Sequence, residues 1–207
     1  MASDRIPTGA DKGEARRQQV LDAATKCFRH EGIHGTSIAR ICQVAGMSPG
    51  HIYHYFENKE AIVEAIAERE RNDLAGLLEN LEAYKVGTPL VERLVGQSHQ
   101  MQQKIMDADH VGLMLELAAE GSRNPAVRTI LQHSDEEIRA RFMETLENMG
   151  FSAEMDEIDL EQRMELIISL KMGLAMRTIQ NARLDVPALQ DLVDSVLRFL
   201  LSAPRKK

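Results

Sequence analysis

Apolar residues recur at three- and four-residue spacing through most of this 207-residue chain, and the two-residue alternation of a strand is nearly absent. That period commits the chain to helices packed on helices, with glycine and proline marking where each one stops. Over residues 13–30, Val20, Leu21, Ala24, Cys27 and Phe28 form one stripe, and Gly32 follows as a stop. Thr36 or Ser37 can cap a second, short helix through Gln43 that buries Ile38, Ile41 and Cys42. Gly46 breaks it. Ser48 then caps a third helix with Pro49 at its first position, where a missing N–H costs nothing. A fourth is expected from near Asn58, carrying Ile62, Ile66, Leu74, Leu77 and Leu81.

Beyond Tyr84 the breaks fall at Gly87-Thr88-Pro89, Asn124-Pro125, residues 150–159 and Val186-Pro187. They delimit expected helices over 90–108, 110–121, 126–149, 160–184 and 188–201. The fold class is therefore all-α: a three-helix head over residues 1–57 and a larger helical body over 58–207. Residues 1–12 are expected to be a mobile arm, and residues 204–207 a disordered tail.

The bulk chemistry narrows the function. No apolar run approaches the roughly 20 residues that cross a bilayer, and the polar N-terminus lacks the apolar stretch of a signal peptide. No membrane partner is expected. With only Cys27 and Cys42 present, the expected compartment is the reducing cytoplasm. The net charge of −7 argues against nonspecific coating of nucleic acid, but it is unevenly spread. Residues 1–60 hold eight Lys and Arg against seven Asp and Glu, with four of the seven His, while the remainder is strongly acidic. The head can approach phosphates that the body would repel.

The informative segment is residues 36–59, TSIARICQVAGMSPGHIYHYFENK. A helix-turn-helix needs a small residue where its helices cross, a turn residue tolerant of positive φ, and apolar inner faces. Cys42, Gly46, and Ile41 with Met47 and Ile52 meet those demands. The second helix of the pair then projects Ser48, Gly50, His51, Tyr53 and His54 outward, toward the base edges and phosphates of a major groove.

The whole string resembles the signature of the tetracycline-repressor (TetR) family. The resemblance rests on Thr36, Ile38-Ala39, Ala45-Gly46, Ser48-x-Gly50, Tyr53-x-Tyr55-Phe56 and Lys59-Glu60, with Ala23-Ala24, Phe28 and Gly32 upstream. It covers about 50 residues, and it departs at Cys42, where the family usually has alanine. It implies a dimeric regulator that binds a double-stranded DNA operator and is released by a small-molecule effector, most simply a repressor and not an enzyme. It also implies phosphate contacts by the hydroxyls of Tyr53 and Tyr55 and by Lys59. Thr36, Ser37 and Arg40 complete the expected DNA-binding set.

Blander readings stand beside these. His51 and His54, spaced i, i+3, lack a third metal ligand, so no metal and no cofactor is expected. Tyr53 and Tyr55 can be core, Lys59 an ordinary surface lysine and Arg40 merely solvated. Cys27 and Cys42 lie on apolar faces and read as small hydrophobes.

Two expectations concern the body. The chain has 11 Met, and Met101, Met114, Leu115, Met143 and Met172 are expected to line a plastic pocket for a largely apolar effector, although thioethers are also generic core filler. Glu116 and Glu120, one turn apart, would favour a lipophilic cation there. The last two helices are apolar over too wide an arc for one buried face, with Leu170 and Leu174, then Leu189, Val193, Val196 and Leu197. These six are expected to form a homodimer interface, and the resemblance implies a four-helix bundle. An enzyme built on Glu116, Glu120, His99, His110 and His133 is the rival reading from another class, and a helical interaction protein is a second.

Overall fold

The computed structural model describes residues 9–79, 88–148 and 157–202. The expected arm before Gly9, Leu81, the Gly87 break and the tail after Ser202 lie outside the described residues. Among those described, the chain forms nine α-helices and no strand. They are α1 (Gly9–Glu31), α2 (Ile38–Ala45), α3 (Pro49–Tyr55), α4 (Lys59–Glu79) and α5 (Leu90–Ile105), followed by α6 (Ala108–Arg123), α7 (Pro125–Asn148), α8 (Glu157–Gln180) and α9 (Gln190–Ser202). The all-α expectation holds. The largest differences from the sequence reading are at two ends: α1 already includes Gly9 to Lys12, and α8 stops at Gln180 rather than Leu184. After α8, Asn181 and Asp185 turn their carboxamide and carboxylate onto the backbone N–H groups of Arg183 and Ala188. A single 3-10 turn at Pro187–Leu189 then leads into α9.

The chain packs as two units, each with its own core. The first comprises residues 9–70 and 112–134, so it does not end at residue 57. The reason is packing. Ile62, Val63 and Ile66 of α4, with Leu113 and Leu117 of α6 and Val127 of α7, are buried in the same cluster as Leu21, Phe28, Ile41 and Ile52. A three-helix hairpin of this size cannot exclude water from Phe28 alone, and the later helices complete the cover. The second unit comprises the described parts of 71–111 and 135–202. Leu94 and Val95 of α5, Leu146 of α7, Leu160 and Ile167 of α8, and Val193, Leu197 and Leu201 of α9 form its core.

Candidate nucleic-acid interface

The interface is built from the turn between two short helices. Ser37 sits in extended backbone, and its hydroxyl accepts from the Arg40 N–H at 3.1 Å, which starts α2. Gly46 ends that helix at φ 65°, in the left-handed region that a side chain would strain. Its neighbour Met47 donates its N–H to the Cys42 carbonyl at 3.0 Å. Ser48 then caps α3 through the N–H of His51, with Pro49 in the first turn. The seam closes on Ile41, Cys42, Ala45 and Ile52, each 6% exposed or less. From α1, the Gln19 amide donates to the Ala45 carbonyl at 2.7 Å and pins the end of α2. All of these local choices favour one geometry.

What the seam leaves outside is polar and short. Ser37, Arg40 and Gln43 of the α2 segment, and Ser48, Gly50, His51, Tyr53 and His54 of the α3 segment, are all exposed. No Asp or Glu occurs between Glu31 and Glu57, so this face carries no fixed negative charge of its own. A Cβ placed on Gly50 would meet nothing within 4 Å. The fold does not demand glycine there. Open space at that position permits close backbone approach to a large partner.

Three expected contact residues are spent otherwise. Thr36 is 2% exposed, and its hydroxyl donates to the Gly32 carbonyl at 2.7 Å. It fastens the α1–α2 loop and is not presented outward. The Lys59 ammonium donates to the carbonyls of Ile33 at 2.7 Å, Thr36 at 3.3 Å and His34 at 3.5 Å, closing the same loop. Arg40 is exposed but bonds Glu31 at 2.6 Å and Gln43 at 2.9 Å, and the Glu31 carboxylate raises its pKa. Tyr55 is half-buried against the first core and stacks edge-on to His54, whereas Tyr53 is 55% exposed with a free reach. Gln19 was missed by the sequence reading. A polar residue on a core-facing helix gives no periodic signal.

The expected pocket residues are not brought together within either unit. Met114 packs on the first core, and Leu115 belongs to that unit. Met143 packs on the second core and Met101 is half-buried there, but Met172 is 60% exposed. Of the acidic pair, Glu120 is buried and bonded to Arg123 and Asn124 in the first unit. Of the expected interface residues, Val193 and Leu197 are 5% and 1% exposed in the second core and cannot face a partner, and Leu174 packs against that core. Leu170 and Leu189 are half-buried, and Val196 is 38% exposed.

Comparison with known proteins bears on the first unit most directly. Residues 20–66 match the family model described as bacterial regulatory proteins, tetR family. That segment runs from α1 through the turn into α4. Over that segment the chain is similar to the TetR family. It is 32% identical over 123 residues to the HTH-type transcriptional regulator UidR of Escherichia coli K12, covering 59% of this chain and 60% of that protein. The chain thus spans less than two thirds of the length of the first curated relatives it matches. A longer, weaker similarity, 25% over 193 residues, links it to the HTH-type transcriptional repressor AcnR of Corynebacterium glutamicum, with 91% of this chain and 95% of that one covered. Among solved structures, Salmonella enterica GusR superposes with a TM-score of 0.75 at 28% identity, over 95% of this chain and 98% of that one. No helix among the described residues is long and apolar enough to cross a membrane.

Proposed function

We propose that this chain is a TetR-family DNA-binding transcriptional repressor that acts as a homodimer on a near-palindromic operator and is released by a small effector. The observation that carries the reading is the exposed, acid-free row on α2 and α3, held by two serine caps over a fully buried seam. Such a row offers hydroxyl, imidazole and amide groups at the depth a major groove requires, on a support with no freedom to drift. The names of the similar proteins, regulators and repressors, support the same function over a catalytic one.

Two-fold symmetry would place α3 of each copy in successive major grooves about 34–36 Å apart, or a multiple of that. Release would then be linkage: the effector prefers the spacing of heads that does not fit DNA. Moving the bound population from 99% to 1% takes a preference of about 5.5 kcal/mol, so tight binding without preference would change nothing.

The test is footprinting and anisotropy on the DNA flanking the gene. Gly50→Ala is expected to leave the melting temperature unchanged and to weaken binding to every sequence, because the fold has room for the methyl and a phosphate would not. His51→Ala is expected to change which bases are preferred, at about 1–3 kcal/mol per lost base contact. Absence of any protected palindrome, or unchanged selectivity in His51→Ala, would overturn base readout by α3.

A further inference from the structure

The second unit hides an unusual set of polar groups. Gln97, Ser98 and Gln102 of α5 are 2%, 7% and 4% exposed. Both amide atoms of Gln97, both of Gln102 and the Ser98 hydroxyl lie in the interior with no hydrogen-bond partner among the described residues. Buried polar atoms are nearly always paired, because desolvation without a new bond costs stability. Five orphaned atoms on two turns of one helix are therefore a feature that requires an explanation.

Lys171 of α8 meets this same stretch. It is 6% exposed, and its ammonium donates to the Ser98 carbonyl at 3.2 Å. No carboxylate among the described residues forms a salt bridge with it. The nearest acidic influence is Asp194 of α9, whose two oxygens are already held by His99 at 2.8 and 2.9 Å and by Gln190 at 2.8 Å. On α8 itself, Arg163 is engaged by Asp159. A buried cation thus meets the same stretch of α5 that carries the unsatisfied amides, with no salt-bridge partner among the described residues. Burial pulls the Lys171 pKa down to about 8, against the opposing pull of Asp194.

We infer that the interior of the second unit is a binding site for a small organic carboxylate, its anionic group meeting Lys171 and its hydroxyl or carbonyl groups meeting Gln97, Ser98 and Gln102. Gln supplies both donors and an acceptor, and Ser one of each, so a polyfunctional ligand satisfies all five atoms where a hydrocarbon satisfies none. An ion pair with the carboxylate offsets the desolvation that Lys171 bears in the empty site. The inference deepens the proposed regulation, and its consequence for DNA rests on that reading. The binding itself does not. It replaces the expected largely apolar effector with a polar, anionic one.

The experiment uses the full chain and matched pairs of probes: butyrate with butyramide, benzoate with benzamide, and gluconate with gluconamide, by thermal shift and calorimetry. At least one carboxylate is expected to bind at least tenfold more tightly than its amide, with gluconate engaging the glutamines as well. Lys171→Met is expected to fold, since it removes a buried charge, and to abolish the preference. Lys171→Arg is expected to retain part of it. Gln97→Leu and Gln102→Leu are expected to weaken gluconate more than butyrate. Because Lys171 loses its proton near pH 8 when the site is empty, carboxylate affinity is expected to fall about tenfold between pH 7 and 9 in the wild type and to stay flat in Lys171→Met. The inference is overturned if no carboxylate binds, if acid and amide bind alike, or if Lys171→Met keeps the preference. Operator binding is measured separately on the ligand-free chain. Carboxylate binding without operator binding sinks the regulator and keeps the site, and the reverse sinks the site alone.

Discussion

Phe199→Arg is expected to yield a folded monomer, and Leu197→Arg, two residues away on the same helix, to yield no folded protein. The contrast follows from how α9 divides its apolar arc. Val193, Leu197 and Leu201 point into the second core, with Leu197 only 1% exposed. An arginine there would be a buried charge with no partner, a defect worth about 3–5 kcal/mol, and it would displace the leucine as well. Leu192, Val196 and Phe199 lie at i, i+4 and i+7 on the other side, exposed by 64%, 38% and 69%. On α8, Met172, Met176 and Ile179 repeat that spacing at 60%, 44% and 59%. Two stripes of matching length on contacting helices are left uncovered by the described residues. A second copy covers them most economically, because two-fold symmetry sets each stripe against its equivalent and presents no new shape to match.

By the same symmetry, one Phe199→Arg substitution places two guanidinium groups in the contact. A penalty of about 4 kcal/mol raises the dissociation constant roughly a thousandfold. Sedimentation with a parallel circular-dichroism melt checks the pair of variants. A wild-type monomer at micromolar concentration, or a Phe199→Arg protein that remains dimeric, would refute the arrangement.

Much of this was legible in the sequence where a local rule decides the outcome. Ser37 or Thr36, Ser48, Pro49 and Gly46 bracket α2 and α3 because caps and positive φ are chemistry within four residues, and the structure selects Ser37 of the first two. What resisted reading depends on which side of a helix meets which neighbour. The width of the apolar arc on α9 signalled two covered faces, but it did not say that Val193 and Leu197 are internal and Leu192 and Phe199 external. Met114 resembles Met143 in sequence and belongs to a different core. The polar interior around Lys171 gave no signal at all, since a period search registers apolar residues and skips the glutamine and lysine between them. That the first compact unit runs past residue 57 was hidden for a related reason. Ile62 and Ile66 continue one helix's stripe, and only the packing shows that they join Phe28 and Ile41, with Leu113 and Leu117 of α6, in the first core.

Lys59 is the residue on which the structural and the resemblance-based readings diverge most, and Lys59→Met is expected to separate them. If the ammonium were a phosphate ligand, its loss would leave the fold intact and reduce the salt slope of operator binding by about one unit. The geometry leads elsewhere. The loop between α1 and α2 turns the carbonyls of Ile33, His34 and Thr36 toward a single point, and Lys59 supplies an N–H for each from the start of α4. Thr36 and Gly32 tighten the loop from within, and at Gly35 a Cβ would collide with the Glu31 carbonyl, so the loop excludes a side chain there. Removing the ammonium leaves three converging dipoles without a counter-charge, and charge-assisted bonds of this kind are worth about 1.5–3 kcal/mol. Lys59→Met is thus expected to lower unfolding stability by about 2 kcal/mol. Operator affinity at a temperature where the variant is folded should drop modestly, with a salt slope equal to that of the wild type. The measurement pairs a urea melt with anisotropy titrations at four salt concentrations. An unchanged melt with a slope shallower by one would return Lys59 to the phosphate backbone and demand that its three carbonyl bonds break when DNA arrives.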